Sequence, residues 1–166
     1  IVYTTKAVLP GMIQRGSGWI VNIGSLASYI GLIGYSAYGA SKFAVRGFTE
    51  ALRMESRPHG IKVALVLPPD TDTPQLTYEN RHKPLELKYL LPELGVISTE
   101  KVAKSIIQGI RSGKYEIAPD AGSQAILIAH RLFGSLTYRV LDFLHNRAIS
   151  RMEREGHRPD TPAQKV

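Results

Sequence analysis

Tyr38 and Lys42 stand four residues apart in Tyr38-Gly39-Ala40-Ser41-Lys42, inside a run of good helix formers. Positions i and i+4 share a helix face, so a phenol and an ammonium meet there. A free phenol has a pKa of about 10 and exchanges protons sluggishly at neutral pH, whereas a nearby cation favours the phenolate and brings proton transfer into range. Tyr38 is therefore a candidate general acid or base, and Lys42 the group that tunes it. Alone, such a pair is an ordinary surface neighbourhood, so its context decides. A third group, Ser25, lies in Asn22-Ile23-Gly24-Ser25-Leu26-Ala27-Ser28, directly after an apolar, β-branched run. At the carboxyl end of a strand in an open α/β sheet, where ligands bind, a hydroxyl reaches the same substrate as the next helix. Without Tyr38 and Lys42, Ser25 and Ser28 read as loop or capping serines.

The elements that must position these groups are legible from patterning. Residues 1–14 read as the end of a helix broken around Pro10-Gly11, and Gly16-Ser17-Gly18 is a turn cluster before the predicted strand Trp19-Ile20-Val21-Asn22-Ile23. A helix is predicted over 36–56, with Phe43, Ala44, Phe48, Ala51 and Leu52 as its apolar positions, stopped by Pro58-His59-Gly60. Ile61 to Leu67 reads as a second strand closed by Pro68-Pro69. Strand, helix, strand at this spacing is a βαβ unit, which requires a parallel sheet covered by helices; the fold class is α/β. Residues 70–98 show no clear long period and exceed an ordinary connection, which predicts a lid or substrate loop. Ser98-Thr99-Glu100 opens a helix through Gly109 with Val102, Ala103, Ile106, Ile107 and Ile110 on one face, and Tyr115 to Ala118 reads as a third short strand. From Gln124 to Arg154 an amphipathic helical pattern (Ile128, Leu132, Leu136, Val140, Phe143, Leu144) alternates with Arg131, Arg139, Arg147, Arg151 and Arg154, and residues 158–166 read as a frayed tail. Residues 1–120 thus form one α/β unit, and 121–166 a C-terminal amphipathic helical extension.

Composition narrows the chemistry further. The chain of 166 residues is 43% hydrophobic and 21% charged, which fits one globular domain with a real core and excludes a disordered or collagen-like chain. No cysteine is present, which excludes a disulfide framework, a thiolate metal site and a cysteine nucleophile. His59, His82, His130, His145 and His157 are scattered without metal-ligand spacing, so no metal is expected. The net charge of +7 is dispersed, with 14 bases against 10 acids up to residue 121 and 7 against 4 beyond, which argues against a nucleic-acid arm. No uncharged apolar stretch reaches the roughly 18 residues of a membrane span, so the expectation is a cytoplasmic chain. The arginine-flanked pattern over 124–154 would suit peripheral contact with an anionic membrane, or equally packing on its own domain or a partner subunit.

Taken together, Asn22-Ile23-Gly24-Ser25, Tyr35-Ser36-Ala37-Tyr38-Gly39-Ala40-Ser41-Lys42-Phe43-Ala44 and a strand ending in Pro68-Pro69-Asp70-Thr71-Asp72-Thr73-Pro74 resemble the short-chain dehydrogenase/reductase family over roughly residues 1–120. The resemblance implies a Rossmann-like doubly wound parallel sheet and a Ser, Tyr, Lys set that falls on Ser25, Tyr38 and Lys42; Tyr35 lacks the spacing. It implies that Tyr38 gives a proton to a carbonyl oxygen, that Ser25 polarises that oxygen, and that Lys42 supports the phenolate and holds a nicotinamide ribose. The stretch from Pro68 and Pro69 through Thr73 would line the nicotinamide of NADPH and its phosphate, with Thr71 and Thr73 as the polar contacts. The double proline with Asp70, followed by Glu79-Asn80-Arg81-His82-Lys83-Pro84-Leu85-Glu86, is similar to the 3-ketodihydrosphingosine reductase branch of that family, which implies a long-chain lipid ketone as substrate. Ile1 falls inside an ongoing helix, and the family's glycine-rich turn, relay asparagine and NAD-or-NADP selector would precede it. The expectation is a C-terminal half that lacks the N-terminal nucleotide-binding βαβ units, exposes strand edges and is inactive alone. The readings kept beside it are another lipid or carbonyl reductase of the same family, and a silent truncation that acts at most as a pairing or membrane-surface module; a homo-oligomer is left open.

Overall fold

Two β-branched runs organise the centre of the computed structural model, which describes residues 1–90 and 95–159. Gly18–Ile23 (β1) and Ile61–Val66 (β2) pair in parallel, from Gly18 opposite Ile61 to Ile23 opposite Val66. Glu116–Ile117 (β3) adds to the other edge of β2, again in parallel, giving the order β1-β2-β3. The central strand is covered on both faces, and Ala64, Leu65, Val66 and Leu67 are fully buried, as a near-continuous apolar run in a parallel sheet requires. The third strand is shorter than Tyr115 to Ala118 because only Leu65 and Val66 find ladder partners there.

Val2–Arg15 forms one helix, α1, and Pro10 lies within it, which corrects the break expected at Pro10-Gly11. Proline costs α1 the hydrogen bond to the Lys6 carbonyl. The packing of Leu9 and Met12 against Ile20, Leu52, Ile61 and Val63 outweighs that loss, and the helix stops only at Gly16, whose φ of 66° is the left-handed cap. Ser36–Ser56 forms α2 with the boundaries expected. Its buried face is Gly39, Thr49, Leu52 and Ser56, while Phe43, Ala44 and Ala51 are exposed, so the apolar positions read from the sequence only partly mark the side that meets the sheet.

The segment 70–98 is not a bare loop. It holds two short helices, Pro74–His82 (α3) and Leu85–Leu90 (α4). Thr73 caps α3 by accepting from the Leu76 amide at 3.2 Å. Neither helix shows a long apolar period because each buries only one or two side chains, Leu76 in α3 and Glu86 and Leu87 in α4. The two ends of the segment are tied together, with Asp72 donating to the Ile97 carbonyl at 2.9 Å and Ile97 to the Asp70 carbonyl at 3.1 Å. Residues 91–94 of the expected lid and 160–166 of the expected tail lie outside the described residues.

Thr99–Arg111 (α5), capped by Ser98, packs on β3 so closely that Gly109 has no room for a Cβ, which would stand 2.5 Å from Ile117. The pattern over 124–154 resolves into two helices, Ala121–Phe133 (α6) and Leu136–Arg154 (α7), parted at Gly134 with φ 47°. Leu127 of α6 joins Tyr29, Leu65 and Leu67 in the core. The carboxyl half of α7 packs on α4 and buries Ala148 and Met152, and the Tyr89 hydroxyl donates to Glu155. The stripe Ile128, Leu132, Leu136, Val140, Phe143 and Leu144 points outward instead of into the domain. Among the described residues, no helix is long and apolar enough to cross a membrane.

Candidate active site

Local hydrogen bonding turns the chain sharply where β1 ends. Ser25 caps a 3-10 turn at Leu26–Ser28: its Oγ accepts from the Ala27 amide at 3.2 Å, and its own amide donates to Ser28 Oγ at 3.2 Å. With its oxygen so engaged, the Ser25 hydroxyl proton is left to donate elsewhere. Gly24 makes the turn close, because a Cβ there would lie 2.9 Å from Ser28 Oγ and 3.2 Å from the Val66 carbonyl. Two bonds lash this turn to the end of β2, Gly24 to the Val66 carbonyl at 2.8 Å and Leu26 to the Pro68 carbonyl at 3.2 Å.

Tyr38 sits in the first turn of α2 and Lys42 one turn later. The Lys42 Nζ stands 5.5 Å from the centre of the Tyr38 ring and donates to the Ile23 carbonyl at 3.3 Å, at the carboxyl end of β1. Burial lowers the Lys42 pKa below the usual lysine value. Deeper in the same helix, Thr49 Oγ1 accepts from the buried Asn22 amide at 3.0 Å and donates to the Val45 carbonyl at 2.6 Å, pinning α2 to β1.

A cavity of about 710 Å³ opens at the carboxyl ends of β1 and β2. Ser25, Tyr38, Pro68, Pro69, Thr71 and Thr73 all line it, so six of the seven residues singled out from the sequence share one space. Lys42 does not line it; it stands behind Tyr38 and reaches the β1 end through Ile23. The hydroxyls of the two threonines are committed to backbone, Thr71 Oγ1 donating to the Pro69 carbonyl at 2.9 Å and Thr73 Oγ1 to the Thr71 carbonyl at 3.2 Å. Their remaining capacity toward a ligand is as acceptors.

Other residues share the cavity, among them Tyr35, set aside on spacing, and Asp70, inside the Pro68–Thr73 stretch expected at the cofactor. Tyr35 packs edge-on against Tyr38 at 5.8 Å, and burial, with help from the charges of Glu79 and Asp70, raises its pKa above the usual phenol value. Asp70 pairs with Lys83 at 3.1 Å, and Gln75, Leu76, Glu79 and Leu87 close the cavity from α3 and α4. No sequence signal placed the α3 and α4 residues there, because a short helix that buries only one or two side chains has no period to read. The only available hint was the length of the segment.

A sequence model of short chain dehydrogenases matches residues 1–84. A 3-dehydrosphinganine reductase from Danio rerio is 46% identical over 114 residues, 69% of this chain and 34% of that protein. A 3-ketodihydrosphingosine reductase from Dictyostelium discoideum is 46% identical over 121 residues, 72% of this chain and 36% of its own. The chain thus spans about a third of the length of these curated relatives. Among solved structures, a short-chain dehydrogenase from Sphingobium yanoikuyae in complex with NADPH superposes with a TM-score of 0.61 at 25% identity, over 80% of this chain and 50% of that one. A short-chain dehydrogenase from Burkholderia cenocepacia in complex with NADP reaches a TM-score of 0.68 at 23% identity over 82% and 52%, and speaks for the shared Rossmann-like fold. A family match over half the chain, laid on a parallel βαβ core with Ser25 and Tyr38 facing one cavity, leaves one conclusion: the chain belongs to the short-chain dehydrogenase family.

Proposed function

We propose that the intact protein is an NADPH-dependent ketone reductase, with 3-ketosphinganine, reduced to sphinganine, as its substrate. The observation that carries this is the single cavity shared by Ser25, Tyr38 and the Pro68–Thr73 loop, with the Lys42 ammonium 5.5 Å from the Tyr38 ring. The sequence similarity to reductases of that name supports the choice of ketone. In this reading Tyr38 delivers the proton to the ketone oxygen, Ser25 donates a hydrogen bond to the same oxygen, and Lys42 stabilises the phenolate left behind. The residues present suit the nicotinamide end of the cofactor, since apolar Ile23, Pro68 and Pro69 line the cavity together with Thr71 and Thr73, and Lys42 reaches its edge at the Ile23 carbonyl. When bound, NADPH supplies hydride. Helices α3 and α4 form the lid, and α7 braces α4 from outside. The test is NADPH oxidation dependent on 3-ketosphinganine by the full-length protein: Tyr38→Phe is expected to lose at least about 100-fold in kcat, and near-normal turnover rejects the assignment.

The α6–α7 surface supports a second element of the reading, peripheral docking on an anionic bilayer. Leu132, Phe133 and Phe143 are more than half exposed, and Arg139 and Arg147 stand one turn either side of Phe143 on α7, where Asp142 is the one carboxylate of residues 121–150; Arg131 is paired with Glu116. Apolar insertion flanked by arginines fits a negatively charged lipid surface. Full-length protein is expected to co-sediment with phosphatidylserine-containing vesicles in a salt-sensitive way and not with neutral ones, and Leu132→Asp with Phe133→Asp to abolish it. Absence of binding to anionic vesicles, or a dimer in solution that the double variant dissociates, overturns this element.

A further inference from the structure

One carboxylate of the cavity wall stands outside every ion pair among the described residues, in a cavity that Lys83 and Lys88 also line. Glu79 lines the same space as Ser25 and Tyr38, and Gln75 Nε2 donates to its Oε1 at 2.6 Å across one turn of α3. It makes no ion pair among the described residues, whereas Asp70, the other acidic wall residue, is already paired with Lys83. The Glu79 charge is felt next to the reacting centre, because it is the foremost charge acting on the Tyr35 phenol, which packs at 5.8 Å from Tyr38. A partly buried carboxylate that shares a cavity wall with an aromatic ring can recognise an alkylammonium, through a charge-assisted hydrogen bond and the ring face.

We propose that Glu79, with the ring of Tyr35, binds the ammonium of an α-amino ketone and thereby selects amino ketones over plain lipid ketones at this site. The inference rests on the reductase reading above and sharpens its substrate class. In an α-amino ketone the nitrogen lies about 2.5 Å from the carbonyl carbon, one intervening carbon away. The Tyr35 and Tyr38 rings are neighbours, with centroids 5.8 Å apart and nearly perpendicular, so with Tyr38 serving the ketone oxygen the Tyr35 ring lies on the side for a group one carbon away. The long alkyl chain then runs along the apolar part of the wall, where Leu32, Leu76, Leu87 and Val102 stand.

The test compares 3-ketosphinganine with the 3-ketone of equal length that lacks the 2-amino group, using the full-length protein and its Glu79→Gln and Glu79→Asp variants. Wild-type protein is expected to prefer the amino ketone in kcat/KM by about 10- to 100-fold, the range for one hydrogen bond to a charged group. Glu79→Gln is expected to erase most of that preference, chiefly through KM for the amino ketone, and Glu79→Asp to restore part of it. Sphinganine, as product inhibitor, should weaken in parallel. A preference that survives in Glu79→Gln overturns the proposal. Wild-type protein that reduces both ketones equally well overturns the subsite but leaves the reductase reading standing, and protein that reduces neither overturns both.

Discussion

Replacing Lys42 by Met removes the ammonium while keeping the length of the side chain, and its consequence follows from one distance. The Lys42 Nζ lies 5.5 Å from the centre of the Tyr38 ring. Between the dielectric of water and the effective value of about 20 suited to protein sites, a unit charge at that range stabilises a phenolate by about 0.8 to 3 kcal/mol. At about 1.36 kcal/mol per factor of ten this is about a 3- to 100-fold change in rate. The sign is a loss: in the proposed reading, reduction of the ketone leaves a phenolate on Tyr38, and without the cation that phenolate is less stable. The kcat/KM for 3-ketosphinganine is therefore expected to fall about 3- to 100-fold in Lys42→Met. Lys42→Arg, which retains a cation, should keep most of the wild-type rate. If Lys42→Met keeps the wild-type kcat/KM, or Lys42→Arg loses as much as Lys42→Met, the electrostatic reasoning is refuted.

Three further expectations concern the frame around the site. Thr49→Val removes the acceptor of the buried Asn22 amide without changing side-chain shape, and should cost about 1–3 kcal/mol in urea unfolding, since it leaves a buried donor unpaired. Gly60→Ala should cost at least about 2 kcal/mol and shift the same transition, because Gly60 has φ 74° and a Cβ would press to 2.3 Å from the Gly16 carbonyl oxygen at the end of α1. Asp120 caps α6: burial works to raise its pKa, but hydrogen bonds from the Ser123 hydroxyl and amide and the Gly122 amide prevail and lower it. The folded carboxyl therefore binds its proton less readily than the unfolded one. The cap stabilises the fold at pH above the ordinary aspartate range and is lost as pH falls through the lowered value; Asp120→Ala should flatten that part of the stability profile.

The sequence by itself determined the parallel βαβ core and most of the site. Short apolar runs rich in β-branched residues at Trp19–Ile23 and Ile61–Leu67, with a helix between Tyr35 and Pro58, admit few other arrangements, because parallel neighbours need a crossover and the crossover must cover the sheet. The i, i+4 spacing placed Lys42 behind Tyr38, and the strand end placed Ser25 across from them. What only the tertiary structure decided is where weakly periodic segments go. Pro10 stays helical because Leu9 and Met12 are held by the sheet, an energy that no local propensity records. Helices α3 and α4 bury one or two residues each and are held by the Asp70–Ile97 and Asp72–Ile97 backbone bonds and by α7, contacts far apart in the chain. For the same reason Tyr35 and Glu79 could not be assigned to the cavity beforehand. The α6–α7 stripe read equally as a membrane-facing side or as one packed on the domain or a partner, and it points outward; periodicity reports that a helix has an apolar side but not what lies against it.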